Sequence, residues 1–261
     1  MRVSFLIAGM QKCATSALHS FLCQHGEIFL PRQKELHFFD NEEMNWRRPD
    51  YDQFYHTHFA DAPAHALWGE ATPIYTYWQP SIERIHRYNP QMKIIVLLRD
   101  PIMRAFSHWR MEYIRNKESL PFAKAIREGR DRIKSCSERT VHNRVCSYVE
   151  RGFYKPQIER LLQWFPREQV IFLSMVDLWT RQGALLNHLC DFLEIAPFET
   201  LPERKMIFSY RDDKSVPNHP DAEDIRYLRA LFQEDWQQTI RLTGCRIDPE
   251  ILPDGSFAVK I

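Results

Sequence analysis

An apolar run that ends in a lysine-bearing turn and reopens as an amphipathic helix constrains this chain more than any other feature. Residues Val3–Ala8 read Val-Ser-Phe-Leu-Ile-Ala and pass straight into Gly9-Met-Gln-Lys12-Cys-Ala-Thr15-Ser16. Ala14, Leu18, Phe21, Leu22 and His25 then recur at helical spacing on one face. A strand, a tight loop and a helix N-terminus in that order converge backbone N–H groups on one point. The helix dipole is positive there, and a lysine and two hydroxyls add donors, so the segment is built for an anion. The structural alternative is a plain strand–turn–helix with a solvated lysine.

Further apolar runs lie at Leu67–Glu70, Lys93–Leu98 and Gln169–Ser174, with a short one at Ile28–Leu30. They lack alternation, which fits strands covered on both faces. Helical patterns fall between them, at Ser81–Tyr88, Lys155–Trp164, Gln182–Leu193 and Asp224–Leu242. Another helix is predicted from Pro101, with Asp100 as N-cap and proline at the first helical position. This alternation predicts an α/β protein: a P-loop-like three-layer fold with a central parallel sheet flanked by helices. No linker or repeat divides residues 1–261, so a single domain is expected. The polar stretch Lys117–Val145 is expected to hold helical pieces and mobile loops without chemistry.

Composition narrows the function. The 261 residues are 44% hydrophobic and 26% charged, the balance of a soluble globular protein. Lys+Arg 35 against Asp+Glu 34 leaves a net charge of +1, which argues against a nucleic-acid partner. An anionic ligand must be gripped by a local cluster. The six cysteines are scattered without metal-ligand spacing and read as reduced thiols. No stretch approaches 18 apolar residues, so a cytoplasmic protein without membrane insertion is expected. Oligomeric state has no signature here.

The loop is not the Walker A pattern, which ends in Gly-Lys-Ser/Thr. Cys13 follows Lys12, where a magnesium-binding hydroxyl would stand. This counts against ATP or GTP hydrolysis. Gly9, Lys12, Thr15, Ser16 and Leu18 instead resemble the 5′-phosphosulfate loop of sulfotransferases that use 3′-phosphoadenosine 5′-phosphosulfate (PAPS), with Ala14 where glycine is usual. After the apolar run Ile94–Leu98 comes Arg99-Asp-Pro-Ile-Met-Arg104-Ala-Phe-Ser107. It is similar to the R-D-P-x-x-R-x-x-S signature that binds the 3′-phosphate in the same family. Alone, it would also suit a helix start with a structural Arg99–Asp100 cap. Lys34-Glu35-Leu-His37-Phe38-Phe39-Asp40 resembles the K-E-x-H-F-F-D segment of the branch related to heparan sulfate enzymes. Gly69-Glu-Ala-Thr-Pro-Ile-Tyr75 resembles its E-K-T-P-x-Y segment, with Ala71 in place of lysine. In the C-terminal half, Tyr148–Tyr154 and Trp164–Leu178 resemble stretches that build the family fold, and Asp177 is read as a helix cap.

The resemblance implies roles. Gln11, Lys12, Cys13, Ala14, Thr15 and Ser16 would hold the 5′-phosphosulfate, and Arg99 and Ser107 the 3′-phosphate. Lys214 and Ser215 sit where relatives carry a loop over the nucleotide. Glu35 matches the catalytic base, Lys12 suits the leaving group, and His37 supports Glu35 or is itself the base. PAPS would be the donor and 3′-phosphoadenosine 5′-phosphate (PAP) the product, with no metal required. The acceptor would be a sugar, glycolipid or small natural product, at a hydroxyl or amino group. A surface salt bridge to Lys34 is the structural alternative for Glu35, and core packing is expected for Phe38 and Phe39. For Tyr75, Tyr77 and Trp78, stacking on an acceptor and half-buried packing stand level. Two rivals share the loop architecture. A nucleotide or nucleoside kinase needs Gly-Lys-Ser/Thr and a magnesium carboxylate. A non-catalytic nucleotide-binding module would not need Glu35 beside His37.

Overall fold

The computed structural model describes residues 2–134, 141–203 and 219–247. In chain order the elements are β1 (Phe5–Gly9), α1 (Thr15–Leu22), β2 (Ile28–Phe29), α2 (Tyr51–Phe54), β3 (Leu67–Ala71), α3 (Gln79–Tyr88) and β4 (Lys93–Leu98). There follow α4 (Pro101–Ile114), α5 (Phe122–Ala125), α6 (Asp131–Lys134), α7 (Val141–Cys146) and α8 (Lys155–Trp164). The last are β5 (Val170–Ser174), α9 (Met175–Thr180), α10 (Gln182–Leu193) and α11 (Ala222–Thr243). The chain forms two compact units, one of residues 1–98 with 157–207 and one of residues 99–156 with 208–261.

The first unit holds the whole sheet, in the order β2-β3-β1-β4-β5. Every pairing is parallel, with Phe5 opposite Gly69 on one side and Lys93 on the other, and Ile94 opposite Val170. All five residues of β1 and of β5 are buried, as two-sided strands require. Gly69 is dictated by packing, because a Cβ there would lie 2.0 Å from the Phe5 ring. Phe38 and Phe39 are core residues, as expected, in a cluster with Tyr55, Tyr75 and Tyr88. Tyr75 and Trp78 are also core, which leaves Tyr77 as the partly exposed ring of that trio.

The second unit packs around α4. Phe106, Trp109, Phe122, Tyr148, Leu228 and Phe232 share one apolar core, with Phe106 edge-on to Phe122 at 5.0 Å. Asp100 caps α4 by accepting from the Ile102 N–H at 2.8 Å, and Pro101 takes the first helical position as the sequence predicts. One cap differs from expectation. Ser174, the last residue of β5, caps α9 by accepting from the Asp177 N–H at 3.4 Å, while Asp177 itself lies in the first turn. A strand that runs into a helix without a loop puts the cap three residues earlier than the acidic residue suggests.

Candidate active site

At the carboxyl end of β1 the chain turns through Gly9–Ala14 into α1. Gly9 admits Thr76, whose Oγ1 would lie 2.6 Å from any Cβ at residue 9. Lys12 and Ala14 take left-handed backbone conformations, at φ 70° and φ 60°. Ala14 therefore adopts the backbone that glycine usually supplies, at a cost of about 1–2 kcal/mol. Cys13 closes the turn by donating its N–H to the Met10 carbonyl at 3.2 Å, and its thiol is buried. Among the described residues, the N–H groups of Ala14, Thr15 and Ser16 donate to no protein acceptor. They sit at the positive end of the α1 dipole, flanked by Gln11 and Lys12, so the turn offers an anion several donors at once.

Glu35 and His37 stand on the segment that follows β2. Both are left-handed, at φ 62° and φ 53°, so neither follows from local propensity. The Glu35 N–H donates to the Ala71 carbonyl at 3.0 Å and anchors the segment to the end of β3. Lys34 Nζ lies 2.5 Å from Glu35 Oε1, and the Glu35 side chain is 38% exposed. Burial pushes the Glu35 carboxyl up, but Lys34, His37 and Lys12 outweigh it and hold the group below its ordinary value. The influence of Lys12 links the β1 loop to Glu35 within one electrostatic neighbourhood.

Behind His37 stands Asp40, whose side chain is fully buried. His37 Nδ1 lies 2.9 Å from Asp40 Oδ2, and Nε2 lies 3.8 Å from Glu35 Oε2. Asp40 thus holds the proton on Nδ1 and turns Nε2 toward Glu35. Beneath this pair is Glu70 at the end of β3, almost fully buried. Burial is the main cause that raises its carboxyl to about 7; Asp40 adds to the rise, while hydrogen bonds from Thr72 and Tyr75 oppose it. Thr72 Oγ1 donates to Glu70 Oε1 and accepts from the His37 N–H at 3.5 Å. Sequence reasoning assigned no role to Asp40, Glu70 or Thr72. A charged residue in an otherwise apolar strand end was the available signal for Glu70.

Arg99 directly follows β4 and belongs to the second unit. Its backbone carbonyl accepts from the Tyr154 hydroxyl at 2.9 Å. Along Pro101–Met111 only Ser107 reaches the surface; the rest, Arg104 included, are buried. Arg104 donates to the Tyr148 carbonyl and serves the fold of this unit. Ser107 is the hydroxyl that the helix presents. Lys214 and Ser215 lie outside the described residues. No group of three or more His, Cys, Asp or Glu that could hold a metal occurs among the described residues.

The sulfotransferase domain family matches residues 3–243, and the chain belongs to it. Its relatives include human heparan sulfate glucosamine 3-O-sulfotransferase 5, 27% identical over 74% of this chain and 53% of that protein. The membrane-associated sulfotransferase kil1 of Dictyostelium discoideum is 28% identical over 51% of this chain and 29% of its own length. The chain thus spans about half or less of these relatives. Among solved structures, the sulfotransferase of Alicyclobacillus acidocaldarius superposes with a TM-score of 0.79 at 25% identity, covering 95% of this chain and 98% of that one. The central five-stranded parallel sheet flanked by helices is the P-loop-like fold of these proteins.

Proposed function

We propose that this chain transfers a sulfuryl group from PAPS to a hydroxyl of a carbohydrate acceptor, with Glu35 as the base. The observation that carries the reading is Glu35 itself: an ionised, reachable carboxylate backed by the His37–Asp40 pair and lying in the field of the loop lysine. A kinase is not favoured, because Cys13 occupies the position of the magnesium hydroxyl.

The β1 loop suits the 5′-phosphosulfate of PAPS, to which Ala14, Thr15 and Ser16 would supply N–H donors; by the resemblance of their motif, Arg99 and Ser107 would supply a guanidinium and a hydroxyl to a 3′-phosphate. When bound, PAPS provides an activated sulfuryl group on a phosphate leaving group. Glu35 Oε1 is engaged by Lys34, which leaves Oε2 to take the proton of the acceptor hydroxyl as its oxygen attacks sulfur. Lys12 and the loop N–H groups hold the negative charge that accumulates on the 5′-phosphate as its bond to sulfur breaks. The acceptor class follows the relatives named for heparan sulfate and carbohydrate sulfation. The family match runs through both compact units, and we read them as one functional domain. The test is a mass-spectrometric assay with PAPS and a panel of mono- and oligosaccharides in excess EDTA. A sulfated sugar formed together with PAP is expected. Phosphoryl transfer from ATP, or complete and reversible loss of sulfuryl transfer on chelation, would overturn it.

A further inference from the structure

The segment that carries Glu35 and His37 is held on the end of β3 by bonds from alternate residues. The Glu35 N–H donates to the Ala71 carbonyl at 3.0 Å, the His37 N–H to Thr72 Oγ1 at 3.5 Å and the Phe39 N–H to the Tyr75 hydroxyl at 3.5 Å. Thr72 and Tyr75 stand at the two ends of one turn, in which the Tyr75 N–H donates to the Thr72 carbonyl at 3.2 Å and Pro73 takes the second position. Glu35 and His37 have left-handed backbones, at φ 62° and φ 53°, which neither residue adopts readily on its own. Such a conformation persists only where its surroundings over-determine it. Asp40 fixes the His37 ring, while the backbone beneath that ring is held by the bonds to Ala71 and Thr72.

The acceptor at His37 is itself oriented. A hydroxyl has one proton to donate and two lone pairs to offer. Thr72 Oγ1 gives its proton to Glu70 Oε1, which turns its lone pairs toward the His37 N–H. Tyr75 hydrogen-bonds the same carboxyl, and the Tyr55 hydroxyl donates to Glu70 Oε2 at 3.4 Å. Glu70, Thr72, Tyr55 and Tyr75 are all buried, so bulk water does not compete for these bonds. Packing alone would be served as well by an apolar side chain at residue 70, without desolvating a carboxyl.

We infer that Thr72, aligned by the buried Glu70 carboxyl, is a positioning residue for the Glu35–His37 pair. Thr72 is fully buried and meets neither donor nor acceptor; it sets the backbone from which both side chains reach the reacting hydroxyl. This rests on the reading of Glu35 as the base with His37 beside it. The β1 loop closes through a bond of its own, from the Cys13 N–H to the Met10 carbonyl at 3.2 Å. A change at Thr72 therefore acts on turnover and not on affinity for the nucleotide.

Thr72→Val keeps the shape of the side chain and removes the hydroxyl. With PAPS and the sugar panel above, it is expected to lower kcat about 10- to 100-fold, the scale of a small misplacement of reacting groups, with PAP affinity within roughly threefold of wild type. Thr72→Ala should behave alike, and Thr72→Ser, which restores the hydroxyl, should recover kcat to within roughly threefold. Hydrogen–deuterium exchange gives a readout that needs no turnover: peptides covering residues 34–40 should exchange faster in Thr72→Val, and those covering residues 10–16 should not change. Wild-type kcat in both Thr72→Val and Thr72→Ala, a Thr72→Ser variant no better than Thr72→Val, or a loss of PAP affinity equal to the loss of kcat would each overturn the proposal. If Glu35→Gln keeps turnover, the base moves to His37, and a kcat loss in Thr72→Val still supports the role of Thr72, because it bonds His37 itself. If wild type sulfates no sugar of the panel, the proposed reaction fails and exchange alone decides: faster exchange at 34–40 in Thr72→Val supports the role of Thr72 in holding the segment, and unchanged exchange overturns it.

Discussion

Glu35 sits between Lys34 and Lys12, and the field that keeps it ionised also weakens it as a base. Removal of Lys34 should therefore raise its affinity for a proton. Lys34→Met is expected to move the acidic limb of the pH profile of kcat/KM to higher pH, because burial then acts with less opposition. An unchanged limb would mean that another group sets it. Glu70 titrates in the other direction. Below about 4.5 its carboxyl is protonated in both folded and unfolded chains; from there to about 7 only the folded chain keeps the proton. Stability contributed by this site is thus lost as pH rises through that window, up to about 3 kcal/mol. Glu70→Gln cannot ionise, so its stability relative to wild type should grow from pH 5 to pH 8 in denaturant titrations. Parallel pH profiles for the two proteins would contradict this. The sequence made the Lys34–Glu35 pair and the motif legible at this scale. It did not reveal that Asp40 orients His37, because left-handed backbone at Glu35 and His37 leaves no periodic trace.

At the scale of elements, α4 separates two residues that the motif places side by side. Arg104 is buried against the Tyr148 carbonyl, whereas Ser107 is the position of the first three turns that reaches the surface. Arg104→Met should cost about 1–3 kcal/mol of stability in denaturant titration, the penalty for a buried carbonyl without its donor. Ser107→Ala should leave stability within about 0.5 kcal/mol and weaken PAP roughly tenfold in calorimetry. The reverse pattern would exchange their roles. The start of α4 was readable from its Asp100 cap and Pro101, and the bounds of α8 and α10 from apolar periodicity. The short α9 was not, since Ser174 ends β5 and caps the helix at once, with no turn residues between them. The loop at Gly9–Ser16 was legible as an anion site, yet its left-handed Ala14 was not, because propensity alone assigns that backbone to glycine.

For the whole molecule, the order of apolar runs and helices fixed a parallel α/β fold, and the family match from 3 to 243 agrees with it. What composition could not supply is the arrangement of donors and carboxylates, which depends on backbone turns rather than on residue counts. The central claim is that Glu35 takes the acceptor proton. Its most direct test compares PAPS turnover and PAP affinity in Glu35→Gln with those in His37→Ala. Glu35→Gln is expected to lose about 100- to 10,000-fold in turnover, with PAP affinity within roughly threefold of wild type. Near wild-type turnover in Glu35→Gln, with the loss appearing in His37→Ala instead, would contradict the claim and transfer the base to His37.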